Sequence, residues 1–476
     1  MRLSSHSPLF VPAPALALAA LAIASLAITG CPKPAAPPAK TTGTADGGGA
    51  PSSPTQPATP GNTGGAAPGS TSSAPAAPAT PADSADAIAK AQSLNAVITK
   101  DDSGHIVAID FENQPVADAD IPLFQGLPNL KKLYLYGAKI TDAGAPEIIK
   151  LKTVVDLGLF NSAVTDTGLD QLSAMNQVKS LFLRRCVQIS DAGLAALKKF
   201  PQLEQAHLLY NNFSDAALEN LKEIKTLKLL DIRGCTLITD AGLEHLSGLT
   251  NMEQFKLRNF SVSDTGLAVV KNYPKLKVLN VEDAQLFTDE GMKNLAELTN
   301  MVELHLLRTG ISDAGLENVA KMSKLRKLTL RDHTIDGSGL AHLAAAKDLQ
   351  EVDLSETLVN DAGVAHLAPL TKIHHLDLWN SKVTDEGLAA IKSLDQLKWL
   401  NLDGTKVTDA GVATIQSSFP KLTYLNINKT GITDAAVETL SKMTGLTELS
   451  LEYNPGITDD GFAKLQAALP KAKIKR

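Results

Sequence analysis

The chain has 476 residues and a formal net charge of −6, with 44% apolar, 20% charged and 4% aromatic residues. No block of like charge runs through it, so nucleic acid is not an expected partner. The three cysteines form no CxxC pair, which argues against a disulfide framework and against a structural zinc site.

Residues 1–30 have the features of an export signal. Arg2 precedes a run of Ala, Leu and Ile at residues 15–28, which is shorter than the roughly 20 apolar residues of a transmembrane helix. The run leads into Ile28–Cys31, a segment that resembles the lipobox of bacterial lipoproteins. The resemblance implies cleavage before Cys31 and lipid attachment to that residue. An ordinary signal peptide with a chance cysteine, or an uncleaved anchor, is the alternative.

Residues 31–87 are expected to form a lipidated cysteine followed by a disordered tether. From Pro32 to Ala87 the sequence consists mainly of Pro, Ala, Gly, Ser and Thr, without a single Val, Ile, Leu, Met, Phe, Tyr or Trp. Such a segment cannot bury enough apolar area to offset its chain entropy. In the lipoprotein resemblance, Asp after the cysteine marks inner-membrane retention, so Pro32 favours an outer-membrane location in a bacterial envelope. Glycosylation of the tether stays open.

Residues 88–127 are expected to form an N-terminal cap. A short helix is predicted near Asp83–Ser93. The turn sequence Asp101–Gly104 lies between two apolar runs, at residues 96–99 and 105–111, and this arrangement predicts a β-hairpin.

From residue 128 to 469 a unit of 24 or 25 residues recurs about fourteen times. Within a unit, Leu133 and Leu135 alternate with period two and therefore point to one face of a strand. A Thr-Asp pair, such as Thr141 and Asp142, then precedes a segment with helical spacing. The threonine can cap the helix amides, and the aspartate favours the positive end of the helix dipole. Each unit is thus strand, turn and short helix, and only stacked units bury a continuous core.

The pattern Leu-x-x-Leu-x-Leu-x-x-(Asn/Cys/Thr)-x-(Leu/Ile) resembles the leucine-rich-repeat superfamily. The Thr-Asp-Ala-Gly-Leu helix start resembles its subclass with ribonuclease-inhibitor-like and cysteine-containing repeats, which includes bacterial surface proteins. The resemblance implies an α/β solenoid, or horseshoe, with a parallel sheet on the concave face and short helices on the convex face. It also implies a scaffold that binds rather than catalyses.

Cys186 and Cys235 occupy the Asn/Cys position of their repeats, two units apart. Strand spacing puts them about 10 Å apart, beyond the roughly 7 Å limit for a disulfide. Two free, buried thiols are predicted. Residues 470–476, a lysine-rich stub, are expected to cover the open edge of the sheet.

No catalytic residue, metal site or cofactor is predicted. The repeated Asp residues are explained by the helix start. His342 and His366 hold equivalent positions in adjacent units without an evident third ligand, so solvent exposure is the favoured interpretation. The sequence contains no Walker loop, HExxH motif or dinucleotide fingerprint.

The positions left to specify a ligand flank the strand leucines and project from the concave face. Aromatic and charged residues are frequent there, as in binding surfaces. Both tryptophans lie in neighbouring strands, and a basic centre beside an acidic end favours a partner with a matching charge pattern. The candidate binding residues are Tyr134, Tyr136, Phe160, Phe182, Arg184, Arg233, Lys256, Arg258, His305, Arg331, Asp353, Asp377, Trp379, Trp399, Asn401, Asp403 and Tyr424.

The sequence therefore predicts a monomeric, non-catalytic envelope protein that binds a protein or peptide on its concave face and meets the membrane through its lipid only. The alternative is a carbohydrate-binding or adhesive lipoprotein, in which Trp379 and Trp399 stack on sugar rings and Asp377, Asn401 and Asp403 bind hydroxyl groups. A purely structural envelope spacer also remains open.

Overall fold

The computed structural model describes residues 82–476, so the expected signal, the lipidation site and most of the tether lie outside the described residues. Within the described range, no helix is long and apolar enough to span a membrane.

The described chain begins with a cap that confirms the predicted helix and hairpin. Ser84 caps α1 (Ala85–Ser93), so this helix begins three residues before residue 88, where the cap was expected to start. Strands β1 (Val97–Lys100) and β2 (Ile106–Asp110) pair antiparallel, and a 3₁₀ helix at Asp118–Gly126 leads to the first repeat.

The strands of the repeats form one long sheet. From β2 onward each strand pairs in parallel with the next along the chain, and β1 completes a sheet of seventeen strands within residues 82–476. Fourteen of these strands, β3 to β16, belong to the repeats, which confirms the predicted number. They and the last strand are β3 (Lys132–Tyr136), β4 (Asp156–Phe160), β5 (Ser180–Arg184), β6 (Gln205–His207), β7 (Leu229–Asp231), β8 (Gln254–Arg258), β9 (Val278–Glu282), β10 (Glu303–Leu307), β11 (Lys327–Arg331), β12 (Glu351–Asp353), β13 (His375–Asp377), β14 (Trp399–Asn401), β15 (Tyr424–Asn426), β16 (Glu448–Ser450) and β17 (Lys473–Lys475).

Short helices return the chain from each strand to the next, and many are a single turn or are 3₁₀. The α-helices are α2 (Ala145–Ile148), α3 (Asp166–Leu172), α4 (Asp215–Leu221), α5 (Asp240–Glu244), α6 (Asp264–Leu267), α7 (Asp289–Met292), α8 (Asp361–Ala365), α9 (Asp385–Ala390), α10 (Asp409–Ser418), α11 (Val437–Ser441) and α12 (Asp459–Ala468). The 3₁₀ helices of the repeats are Asp142–Gly144, Gly193–Lys199, His245–Gly248, Ala268–Asn272, Lys293–Leu295, Ala314–Val319, Ser338–Ala345 and Asp434–Ala436.

The strand leucines and the helix leucines form one continuous hydrophobic core between the sheet and the helices. Leu133 and Leu135, for example, are fully buried, whereas Tyr134 between them faces the opposite side of the sheet. The α/β leucine-rich-repeat solenoid predicted from the sequence is confirmed.

A ladder of aspartates joins consecutive repeats. Thr165 donates hydrogen bonds from its backbone N–H (2.8 Å) and its hydroxyl (2.6 Å) to the carboxylate of Asp142 in the preceding repeat. The same pair of bonds recurs at twelve steps, from Asp118–Thr141 to Asp434–Thr458. The Ser or Thr caps its own helix, as predicted. The aspartate does more than complement a dipole, because it ties its helix start to the next one.

The ladder explains why glycine follows the aspartate by two residues. A Cβ built on Gly193 would lie 2.0 Å from Oδ1 of Asp166, the carboxylate that accepts from Ser190. Equivalent close approaches to the preceding aspartate occur at Gly168 and Gly266. The glycine therefore leaves ample room for the carboxylate of the neighbouring repeat. Ala217 and Ala436 hold the same position in two repeats, and Ser214 and Thr433 still donate to the preceding aspartate there, so a shifted carboxylate also tolerates a methyl group.

Two consecutive steps depart from this pattern. At the first, Asp336 stands at the Ser/Thr position and donates only its backbone N–H to Asp313, at 2.8 Å. At the second, Gly337 stands where other repeats have Asp, with a φ of +95°. Asn360 consequently donates its backbone N–H to the carbonyl of Asp336 (3.2 Å), and its side chain caps only its own helix, α8. This second step joins the helix starts that follow β11 and β12.

The two predicted free thiols are confirmed. Cys186 and Cys235 are fully buried and free, and their Sγ atoms donate to the carbonyls of Leu159 (3.0 Å) and Leu208 (2.9 Å) in the preceding repeat. The C-terminal stub forms β17, in which Ile474 pairs with Leu449 and Lys475 contacts Glu448 at 2.5 Å. It therefore covers β16 by extending the sheet.

Candidate functional site

The candidate residues of the sequence analysis all lie on the concave side of the sheet, at positions flanking the buried leucines. Parallel in-register pairing puts corresponding residues of successive strands side by side, so they form three rows across the sheet. Nearly all the candidates are partly or fully exposed, while Asn401 is buried.

An early aromatic cluster consists of Tyr134, Phe160, Phe182 and His207. Tyr134 stacks on Phe160 (centroids 5.9 Å apart) and meets Phe182 edge-on (5.2 Å). The ring of His207 stacks on Phe182 at 4.0 Å. His207 was not among the predicted residues, although its row position beside Phe182 follows from the repeat register.

Gly158 lies between the aromatic residues and gives them room, since a Cβ there would approach Cδ1 of Tyr134 to 2.4 Å. Burial, followed by the negative charges of Asp156 and Asp110, raises the pKa of Tyr134 to about 12, so this phenol stays protonated. Tyr136, in the next row, accepts a hydrogen bond from Nδ2 of Asn161 at 2.8 Å.

The predicted basic centre is largely neutralised. Arg233 makes a bidentate pair with the buried Asp231, at 2.9 and 2.8 Å, and also lies 3.6 Å from Glu282. Burial alone would raise the pKa of Asp231, but the imidazole of His207, 3.9 Å from the carboxylate, and the hydrogen bonds and charge of Arg233 outweigh burial and lower that pKa to about 2. Because Asp231 precedes Arg233 by two residues on the same face, the strand periodicity could have revealed this pair.

Arg258 is also paired, 2.5 Å from the carboxylate of Asp283, which Arg308 shares. Arg331 pairs with Glu356 at 2.9 Å. Arg233, Arg258 and Arg331 of the predicted basic centre are therefore ion-paired, because acidic residues two or about twenty-five positions away fold against them.

Three further candidates lie between the clusters. Arg184 is exposed at the end of β5, and neither Arg184 nor Lys256 makes an ion pair with another described residue. His305 lies 2.9 Å from the Thr329 hydroxyl and 3.4 Å from Glu303, and burial lowers its pKa.

A late aromatic stack consists of His375, Trp399 and Tyr424, on three adjacent strands. The rings of His375 and Trp399 are 3.9 Å apart and inclined by 4°, and those of Trp399 and Tyr424 are 4.7 Å apart and inclined by 6°. Both faces of the indole of Trp399 are therefore covered, which leaves the ring edges accessible. His375 was not among the candidates.

Trp379 is separate from this stack, which corrects the expectation of one tryptophan patch. It follows β13 and lies in another row, with the guanidinium of Arg331 over its ring at 5.2 Å. The two tryptophans are close in sequence, but their positions within the strand differ, so their rings do not share a platform.

Acidic and amide side chains fill the row between Trp379 and the late aromatic stack. Asp353, Asp377 and Asn401 each accept, through Oδ1, the backbone N–H two residues onward, at 3.0, 3.0 and 3.1 Å. Such turns close the strand ends, so part of each side chain is used by the fold. Burial, and next the neighbouring charge of Asp353, raise the pKa of Asp377 to about 7.

Asp403 lies near this row, and its buried Oδ1 has no hydrogen-bond partner among the described residues. In the part of the chain that the structure describes, no three His, Cys, Asp or Glu residues are arranged to hold a metal ion. The geometry of the concave face therefore offers ring edges, amides and carboxylates for contact.

A family model described as a leucine-rich repeat region matches residues 208–469, more than half of the chain. A search of curated proteins gives no significant match.

Several solved structures are similar to the chain. An internalin from Listeria monocytogenes is 20% identical with a TM-score of 0.49, over 82% of this chain and 94% of that one. A leucine-rich-repeat protein from Leptospira interrogans is 19% identical with a TM-score of 0.43, over 74% and 86%. A chain of the yeast Rad7–Elc1 complex is 17% identical with a TM-score of 0.48, over 75% and 88%. The repeated leucine pattern, the register of the sheet and the family match identify the chain as a member of the leucine-rich-repeat family.

Proposed function

We propose that the chain is a non-catalytic binding protein of the bacterial cell envelope that recognises a protein or peptide on its concave face. The observation that carries the proposal is the pair of aromatic clusters at the two ends of that face. The early aromatic cluster and the late aromatic stack expose ring edges beside polar groups, and partly exposed aromatic side chains are frequent anchors of protein interfaces.

The geometry of Trp399 favours a peptide over a carbohydrate. A sugar ring packs against an exposed aromatic face, but His375 and Tyr424 cover the two faces of Trp399. At Trp379 the guanidinium of Arg331 occupies one face. Ring edges, amides and carboxylates suit the mixed polar and apolar surface of a polypeptide.

The unpaired carboxylates near the late aromatic stack favour a partner that carries a positive charge. Asp353, Asp377 and Asp403 make no ion pair with any described Lys or Arg, whereas the arginines of the centre are paired. A peptide that carries a basic residue near the late aromatic stack would relieve the repulsion between Asp353 and Asp377.

A binding experiment with envelope extract of the source organism tests the concave site. The variant Trp399→Ala/Tyr424→Ala should lose a captured protein that the wild-type chain retains. Tyr453→Ala is the matched control, because Tyr453 is 74% exposed and lies outside the concave rows. Equal capture by the Trp399→Ala/Tyr424→Ala variant and the control would refute the late site. Binding to a glycan array instead of a protein would favour the carbohydrate alternative.

Residues 1–30 are proposed to be a lipoprotein signal and Cys31 the lipidated residue, with the following segment as a tether up to the cap. The lipobox-like segment supports this proposal. Intact mass spectrometry of the chain from a bacterial host should show loss of residues 1–30 and an added acyl mass, and Cys31→Ser should abolish both. A mass without acyl groups in the wild type would rule out the anchor.

A further inference from the structure

Most of the large apolar side chains that the described residues leave exposed occur on one edge of the solenoid. Five successive repeats place such a residue in the loop that leaves the strand, and we call these residues the apolar stripe. It consists of Val187 (55% exposed), Tyr210 (39%), Leu237 (56%), Phe260 (62%) and Leu286 (56%).

The apolar stripe is confined to the middle of the solenoid. In repeats nearer the two ends of the solenoid, the corresponding loops expose Lys139, Lys382 or Lys406. Those lysines show that the loop needs no apolar side chain for folding. Contiguous exposed apolar surface of this kind marks interaction sites.

The apolar stripe leads into an open cleft. Gln285, Gly310 and Leu358 are among the residues that line this cleft, whose volume is about 460 Å³. Leu358 is itself 46% exposed. The other residues that line the cleft are mainly polar and include Asp332 and Glu356, so a polar depression that can receive side chains separates Leu286 from Leu358.

Positive charge borders the apolar stripe. The guanidinium of Arg185 lies over the ring of Tyr210 at 5.6 Å, and neither Arg184 nor Arg185 is ion-paired with a described residue. Arg258 and Arg308 share the one carboxylate of Asp283, which leaves a positive charge in excess. This charge favours an acidic partner and opposes the docking of a second, equally basic copy.

The spacing of the stripe fits a helix. Adjacent strands are about 4.8 Å apart, and one turn of an α-helix advances about 5.4 Å. Apolar side chains at helical i, i+3, i+4 and i+7 positions can therefore meet successive repeats. In an extended peptide the side chains on one face are about 6.6 Å apart, so they match the spacing of the repeats less well than helical side chains do.

We propose that the apolar stripe is a docking surface for an amphipathic helix of a partner protein, with an apolar face bordered by acidic residues. The apolar side chains of the stripe lie in loops outside the concave rows, and only the bordering Arg184 and Arg258 belong to the edge of the concave face. The proposal therefore does not depend on the two aromatic clusters of the proposed concave function.

The test is selection of helical peptides of about fourteen residues from a random display library, with the full chain as the target. The selected peptides should combine apolar residues at helical spacing with an excess of Asp and Glu. Leu237→Lys/Phe260→Lys, which copies the lysines of the repeats nearer the two ends, should weaken their binding at least tenfold in fluorescence anisotropy. Arg184→Glu/Arg185→Glu should do the same.

The matched control is Thr236→Lys/Ser261→Lys. It adds the same two charges at exposed neighbouring positions and keeps Leu237 and Phe260. It should bind the acidic peptides as tightly as the wild type or more tightly. Circular dichroism and urea midpoints establish that every variant is folded.

Three results would overturn the proposal. The first is that the selection yields no acidic helical peptide. The second is that the Leu237→Lys/Phe260→Lys variant binds the selected peptides as tightly as the wild type does. The third is self-association of the chain through the stripe. In the last case sedimentation would show a wild-type dimer that the same variant abolishes, so a second copy would be the occupant. Loss of binding in the concave variant Trp399→Ala/Tyr424→Ala with unchanged binding in the stripe variant would place the peptides on the other face.

Discussion

The close approach between Gly193 and Asp166 predicts strong energetic coupling between neighbouring repeats. Asp166→Ala removes the acceptor of two hydrogen bonds from Ser190, at 2.7 and 2.6 Å. A hydrogen bond to a charged group contributes about 1.5–3 kcal/mol. At this exposed site the lower end applies, so the variant should lose about 3 kcal/mol of unfolding free energy.

Gly193→Ala should change the free energy of unfolding by less than about 1 kcal/mol. The new Cβ would lie 2.0 Å from Oδ1 of Asp166 unless the carboxylate shifts. Ala217 holds the same position in the next repeat, where Asp191 still accepts both hydrogen bonds from Ser214, so the carboxylate can shift and keep its donor. The strain of this shift is offset by about 1 kcal/mol, because alanine restricts the unfolded backbone more than glycine does.

In Asp166→Ala/Gly193→Ala the carboxylate is already absent, so the methyl group finds space. The double variant should be less stable than the wild type by about 2 kcal/mol, whereas additive single effects would give about 3 kcal/mol. The measurement is urea unfolding followed by circular dichroism, with similar m-values required because repeat arrays can lose two-state behaviour. Additive losses in the double-mutant cycle would refute the proposed role of the glycine.

Three further outcomes are expected. The pKa of Asp377 is raised to about 7, so protonated Asp377 contributes fully to the free energy of unfolding below its unfolded pKa near 4, and this contribution is lost as the pH rises through 7. Asp377→Asn should therefore be more stable than the wild type at pH 8, by up to about 4 kcal/mol. This difference in stability should shrink toward pH 4. If the difference in unfolding free energy between Asp377→Asn and the wild type were the same at pH 4 and at pH 8, the raised pKa of Asp377 would not be its cause. Gly158→Ala should displace the ring of Tyr134 and lower the urea midpoint, while near-ultraviolet circular dichroism reports the altered aromatic packing; an unchanged spectrum would count against the crowding. Burial raises the pKa of Cys186 and raises that of Cys235 to about 12, so mass spectrometry should find neither thiol alkylated at pH 8 until urea unfolds the chain.

The concave residues were predictable to different degrees. The position of Trp399 on the concave face followed from Leu400, because neighbours along a strand alternate between faces. Its covered ring faces did not follow, since they depend on His375 and Tyr424, about 24 residues away in each direction. The proximity of Arg233 to Asp231 was readable from the strand periodicity, but the bidentate geometry of the pair and the burial of Asp231 required the folded structure.

The sequence by itself determined the solenoid and the number of its repeats. A unit of 24 or 25 residues with leucines at period two cannot bury them alone, so stacking in register is the arrangement that removes them from water. The tertiary structure alone decided the contacts between units. Asp142 meets Thr165 and not only its own helix, because packing brings together helix starts that lie 23 residues apart. The apolar stripe likewise exists only once successive loops are stacked along one edge.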